Sequence, residues 1–598
     1  LKNNKKSIVN DNVIKILPLA LILLIVPMIV FMRSVPVEGI ADNFYSAKSA
    51  NDFFSYYKTS WFIAFTVVSI FFALHYLFVK KIKVKSSFFF VPLLIYFLFV
   101  FLSSSFSEYH DVAFNGFIDR FEGFWTISCY IIVCLIAAHF ITYDKDIKLL
   151  FGSLGICSLI LCLLGLSQFF GFDFLQTNFM KHVMLPQKYE NLISSLNFKF
   201  PEKYVYLTLF NPNYVGSFCA LVLPICIVIL LLSKNKYMKI ISGSLSALLL
   251  ANLIFSRSTT GYIGVFVALL CLVVLLRKRI FKYWLPVLAL ILCCTGVFTY
   301  LNYSYSGIIT KELINLLPKK QASIGLVHGK YKNITDMTLN KNKMTIYMNS
   351  TPINVIFDTQ DSTLSFLDND GKAVNYRANP SNKNHLLFDQ TNFIGLQLNI
   401  NNSVLAISSP RTIYYVTIDD TGSFKFLNSG GNPVDIETAE SFGFQGYETW
   451  ASSRGYIWSR TIPLLKDTVL LGHGPDTYAI YFPQNDFKGK LITFSSPNTL
   501  VDKPHNMYLQ MAINTGLVSL LAFLVFVLWY IINSFKLYFN PKNSDSFYYM
   551  AGSACLLSVI GFLVVGLAND SNINVSPIFW IILGIGFASN RLYMKEIH

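Results

Sequence analysis

Charged side chains are scarce in this chain. They make up 14% of its 598 residues, against 54% hydrophobic residues and a mean hydropathy of +0.49. A soluble protein of this length carries nearer a quarter charged residues, so an ordinary globular enzyme is excluded. Acidic residues are scarcer than basic ones, 33 against 48, which leaves a net charge of +15. That surplus is not a nucleic-acid surface, and no nucleic-acid partner is expected. Lys and Arg fall in short clusters between apolar runs, as orientation signals do. Cysteine is missing from the long segment 303–505; all ten, from Cys129 to Cys555, lie in or beside apolar runs. Neither a disulfide framework nor a zinc site is implied there. A small-residue cleavage site is missing too. The first apolar run, Val13 to Met32, is long enough to span and reads as a span rather than a removable leader.

What is present is a series of apolar runs. Twelve are long enough to cross a bilayer: 13–32, 60–79, 87–106, 123–142, 148–170, 213–233, 238–255, 260–276, 282–302, 506–534, 547–567 and 574–591. The N-terminus is basic, and every second loop after it is basic as well: KKIKVK at 80–85, DKDIK at 144–148, SKNKYMK at 233–239, RKRIFK at 277–282, FKLYFNPK at 535–542, and RLYMKE at 591–596. Cytoplasmic loops are rich in Lys and Arg, so both termini are expected in the cytoplasm and segment 303–505 outside. The fold class predicted is an all-α polytopic membrane protein of about 12 transmembrane helices with an inserted extracytoplasmic β-domain. Helices one to nine fill 1–302, and a connector covers 303–324. The β-domain takes 325–440, where TIYM, NVIF, TLSFLDNDG, IYYVTI and SFKFLNSGG read as strands and hairpins. A weak repeat relates 362–375 to 422–435. A helical and loop segment follows at 441–505, and helices ten to twelve occupy 506–598.

Polar residues that topology does not require mark the candidate chemistry. Arg257 sits in FSRSTTG, a short outer turn where a cation runs against the inside-positive bias. A lipid-phosphate anchor is the plainer reading of it. Arg454 and Arg460 lie in SSRGYIWSRTIPLLKD, six apart, so a helix turns them to different faces and one is expected in a site. Structural pairing with Asp467 or a carbonyl is the alternative for either. His505 opens a long apolar segment in VDKPHNMYLQMAINTG. Pro504 suits the first helical turn, with Asp502 or a neighbour as the cap, and a helix N-terminus there favours a neutral imidazole that can accept a proton. His473, between two glycines, reads as a turn residue. Paired carboxylates for a metal are wanting: Glu38, Asp42 and Asp52 share the first outer loop without being adjacent. Cations beside a base suggest transfer from a phosphate-activated donor at the outer face, since the guanidinium fork binds phosphate oxygens through two bonds.

These residues carry a resemblance. HNMYLQMAINTGLVS at 505–519 resembles the signature of the O-antigen ligase/polymerase family, matching at His505, Asn506 and Gly516 and departing at Ser519. EYHDVAFNGFIDRFEGFW at 108–125, TLFNPNYVGSF at 208–218, FSRSTTG at 255–261, and SRGYIW followed by LLGHGPDTY look like the same family in the same order. The resemblance implies a metal-independent membrane glycosyltransferase of GT-C type without a cofactor, whose donor is a glycan on undecaprenyl diphosphate. It makes His505 the base and Arg257 and Arg454 the diphosphate ligands. Arg460, Asn213, Arg120 and Asn506 become substrate-binding candidates. The acceptor would be a glycan, a teichoic-type polymer, a lipid or a protein. Ligase and repeat-unit polymerase both stay open, and a lipid-linked glycan transporter is the rival, although its mid-helix charges and repeated halves are not evident.

Overall fold

The computed structural model describes residues 14–81, 88–198, 200, 204–282, 332–401, 403–410 and 412–598, with isolated positions between 296 and 317. Seven described helices are long and apolar enough to cross a membrane: Tyr56–Phe78, Phe88–Ser105, Asp144–Phe169, Pro212–Leu232, Lys236–Ser256, Leu517–Phe539 and Phe547–Val565. Three shorter apolar helices, Leu17–Met28, Phe124–Phe140 and Thr259–Leu275, lie at further expected spans, and Ser576–Ile597 takes the last. The expected ninth span, 282–302, and the connector 303–324 fall almost entirely outside the described residues.

Lipid tails are as apolar as leucine, so helices in a bilayer are held by close packing rather than by flight from water. Pro212–Leu232 is the central post. Of its apolar window 83% is buried, against 28% for Tyr56–Phe78 and Lys236–Ser256 on the periphery. Thr259–Leu275 approaches it through two glycines: a Cβ on Gly216 would lie 2.1 Å from Ser258 Oγ and 3.1 Å from the Gly261 Cα.

The structure corrects one span. The single helix expected over 506–534 is two, Met507–Thr515 and Leu517–Phe539, broken at Gly516. Gly516 takes φ +99°, and a Cβ there would lie 2.4 Å from the Leu470 carbonyl oxygen. The cap is corrected as well. Asn506 caps the first of these helices, accepting from the Tyr508 and Leu509 amides, and His505 stands outside it at φ 49°. His473 and Gly474 close the other end, their amides donating to the carbonyls of Ile513 and Asn514.

The insert holds two antiparallel meanders. Four strands run from Ile334 to Leu367 and seven from Arg377 to Val434, each pairing with its neighbours in chain order. Alternating apolar positions of both sheets, such as Ile346, Val355, Leu398, Ile407 and Val416, meet in one core that Phe487 and Leu491 of the helix Phe487–Phe494 complete. The two halves of the sequence repeat form the same hairpin: Gly371 and Gly431 both take positive φ, and their amides donate to the carbonyls of Asp368 and Asn428.

Gly516→Ala is expected to destabilise the protein by about 1–3 kcal/mol, because the left-handed backbone and the Leu470 carbonyl both resist a Cβ. Thermal unfolding of the purified protein measures this. An unchanged midpoint would mean that the break is not under steric control.

Candidate active site

On the insert side of the bundle, the loop 566–576 between the last two helices is polar and mostly buried, and four of the candidates, Arg454, His505, Asn506 and Asn213, meet it. Arg454 Nε donates to the Ala568 carbonyl at 2.9 Å, Asn506 Nδ2 to that of Leu567 at 2.9 Å, and the Met507 amide to that of Gly566 at 2.8 Å. Asn569 Nδ2 reaches the Asn213 carbonyl, Ser217 Oγ and Thr260 Oγ1, each at 3.1 Å, and so ties the loop to two helix ends. Asp570 faces His505, with Oδ2 3.2 Å from Nδ1. The carboxylate is 1% exposed and the imidazole 29%, so one ring nitrogen faces a buried partner while the ring keeps an opening. Burial pushes the Asp570 carboxyl up. Burial is the largest single influence, but His505, Lys503 and Arg120 together outweigh it, and the group ends well below the usual range. A carboxylate held ionised is acceptor only, so it selects the tautomer with the proton on Nδ1.

Arg454 owes its place to strained backbone. The helix expected through SSRGYIWSR begins with Ala451, Ser452 and Ser453 at φ 51°, 58° and 70°. Left-handed turns of non-glycine residues cost about 1–2 kcal/mol per residue. The turn aims the Ala451 carbonyl at Arg454 Nη1, 2.8 Å away. Burial lowers the Arg454 pKa, with Asp570 opposing, and among the described residues no carboxylate lies within ion-pair distance of its guanidinium. Arg257 resembles it in this respect. It closes the helix Lys236–Ser256 in a left-handed conformation and lies over the Tyr204 ring at 5.1 Å, with no ion pair among the described residues. Its neighbour Ser258 approaches Asn213 Oδ1 at 3.5 Å.

The other two arginines are spent on carboxylates. Arg120 Nε meets Asp476 Oδ1 at 2.7 Å, with Glu122 and Asp502 both at 3.9 Å. Arg460 Nε meets Asp486 Oδ2 at 3.1 Å, and its guanidinium lies over the Tyr456 ring, in a different cluster from His505. Of the first-loop acids, Asp52 is buried and accepts from the amides of Ser55 and Tyr56, at the start of the helix Tyr56–Phe78.

Sequence reasoning missed several residues here. Asp570 is the only carboxylate between Asp545 and Glu596, and an isolated acid in a loop between two spans was the available signal. Lys58 is fully buried and donates to Asn574 Oδ1 and the Thr208 carbonyl. Lys503, beside His505, lies 3.4 Å from Asp502 and 3.3 Å from the Tyr214 hydroxyl.

A multi-pass membrane bundle with an imidazole–carboxylate pair, and with two arginines that have no ion pair among the described residues, is the class that fold and site define. Comparison with protein families agrees: the family model described as O-antigen ligase matches residues 403–524. That stretch includes Arg454, His505 and Asn506, and the family read from the sequence is borne out. No curated protein matches the chain.

Asp119 supplies a pH test of this cluster. Burial, then Asp52 and Asp502, push its carboxyl up to about 7, against Lys503. A folded pKa raised above the unfolded one contributes stability below about pH 4 that is lost as pH rises through about 7. Asp119→Asn tolerates the same φ of 69° and removes that loss. The variant is therefore expected to unfold at a higher temperature than the parent above pH 7, with the gap closing towards pH 4. A gap independent of pH would contradict the assignment.

Proposed function

We propose that the protein is a membrane glycosyltransferase that moves a glycan from an undecaprenyl-diphosphate donor to a hydroxyl acceptor at the outer face of the cytoplasmic membrane. The observation that carries this reading is the His505–Asp570 pair beside Arg454, of which His505 and Arg454 lie inside the stretch 403–524 that matches the O-antigen ligase family. In the proposed arrangement twelve helices of GT-C type hold the site, both termini are cytoplasmic and the insert is outside. Ligase activity is favoured over repeat-unit polymerisation by the family description alone.

The chemistry follows from the groups present. Asp570 holds the His505 Nδ1 proton, and Nε2 is left to accept. The acceptor hydroxyl attacks the anomeric carbon and its proton passes to Nε2. The bond from that carbon to the diphosphate oxygen breaks, and the electron pair leaves with the lipid diphosphate. Arg454 and Arg257, which have no carboxylate partner among the described residues, stabilise that charge through two-bond contacts. The leaving group is acidic enough to need no proton donor, so a base and two cations suffice without metal. Asn506, Asn213 and Arg120 hold the surrounding backbone and loops.

Transfer from a purified lipid-linked donor in the presence of chelator tests this. His505→Ala is expected to lower turnover about a hundredfold or more, the scale of a general base, with little change in donor binding. Asp570→Asn should lower turnover too, through the wrong tautomer. Near-normal transfer by His505→Ala overturns the base assignment, and loss of parent activity on chelation overturns the metal-free step.

Orientation has its own test. Pro380 is exposed at the turn between Arg377–Asn379 and Asn382–Leu387. Pro380→Cys should react with a membrane-impermeant maleimide on intact cells. Labelling only after lysis would put the site on the wrong face.

A further inference from the structure

Between the insert and the bundle lies a cavity of about 540 Å³, within the usual size range of ligand sites. It is separate from His505. Phe44 and Tyr109 line it from the bundle's loops, Tyr481 and Phe482 from the segment before the last helices, and Asn485 and Asn498 beside them. The rings are fixed in advance. Tyr481 stacks on His473 with centroids 3.6 Å apart, and Tyr109 meets Tyr481 edge-on at 5.9 Å. The side-chain amides of Asn485 and Asn498 make no hydrogen bond to the described residues; the Asn485 carbonyl accepts from the Glu437 and Phe487 amides, and the Asn498 carbonyl from Ser429 Oγ.

Preset aromatic rings beside idle amides suit one class of ligand. The C–H face of a sugar ring packs on an aromatic face, and its hydroxyls both donate and accept, as an amide does. A lipid tail would desolvate the charged wall, which includes Glu437, Glu440, Arg460 and Asp467. A peptide adding to the neighbouring sheet would meet an edge strand of two residues, Pro433–Val434, whose proline donates no hydrogen bond.

The cavity is coupled to the catalytic end by shared elements. Arg460 on its wall stands six residues beyond Arg454 on the helix Trp450–Thr461, about 9 Å along the axis. Gln484, also on the wall, donates to the Val501 carbonyl at 2.8 Å and accepts from its amide at 3.3 Å, four residues ahead of His505. Arg460 thus faces a polar cavity rather than a diphosphate.

We infer that this cavity binds the acceptor as a stretch of carbohydrate chain, a few sugar units from the end that His505 deprotonates. The inference rests on the glycosyl-transfer reading. The full-length protein in lipid nanodiscs is titrated with a lipid-free oligosaccharide cut from the surface polymer of the producing cells, and binding is followed by saturation-transfer NMR. Tyr109→Ala combined with Asn498→Ala should weaken binding about tenfold or more and raise the acceptor KM to match, with kcat unchanged. Asn485→Ala provides a second, milder variant should the double one unfold. His505→Ala should bind the oligosaccharide as the parent does. If both cavity variants bind it with parent affinity, or transfer with the parent KM, the inference is wrong and the transfer reading stands. If the parent transfers nothing yet binds the oligosaccharide through these residues, the transfer reading fails and the carbohydrate site stands.

Discussion

A polar loop cannot be buried among helix ends unless each of its groups finds a partner, and the stretch 566–576 is such a loop. Its carbonyls take Arg454, Asn506 and the Met507 amide, and Asn569 bridges two helix ends. Ser571 donates to Glu122, whose same oxygen accepts from Tyr130. Asn574 receives Lys58 from yet another helix. Six separate stretches of chain are thereby drawn to this loop, and the candidate residues come along with those that only satisfy hydrogen bonds. The arrangement is not fully relaxed: Asp570 Oδ1 and Asn572 Oδ1 are buried without a partner among the described residues, at a cost of about 1–3 kcal/mol each. Unsatisfied oxygens beside an imidazole–carboxylate pair fit a site built for a ligand better than one built for stability.

Charge is divided with similar economy. The four arginines singled out in the sequence fall into two kinds. Arg120 and Arg460 hold Asp476 and Asp486 and so fasten the loops and the segment before His505 to one another. Arg454 and Arg257 touch carbonyls or an aromatic ring and have no ion-pair partner among the described residues. A guanidinium already matched by a buried carboxylate has little to offer a diphosphate. This physical difference, rather than position in a motif, separates binding candidates from struts.

Much of this was legible beforehand. Apolar length and loop charge located eleven of the twelve expected spans at described helices, and alternation located the strands of the insert. Both signals are local, because a bilayer demands long apolar helices and a half-buried strand demands period two. His505, Asn506 and Arg454 stood out because they lie in short motifs. The break at Gly516 was not legible, since the run on either side is equally apolar and the obstacle is the carbonyl of Leu470, distant in sequence.

The sequence by itself determined the class of protein, the place of the insert and the short list of candidate residues, because each depends on neighbours within a dozen positions. Tertiary structure alone decided which of them meet. It set Asp570 against His505 across 65 residues, gave Arg120 to Asp476 across 356, and turned Arg460 towards the cavity beneath the insert. The reason is that pairing energies act over a few ångströms in space, and no periodicity along the chain records which loops the packing of helices will bring within that reach.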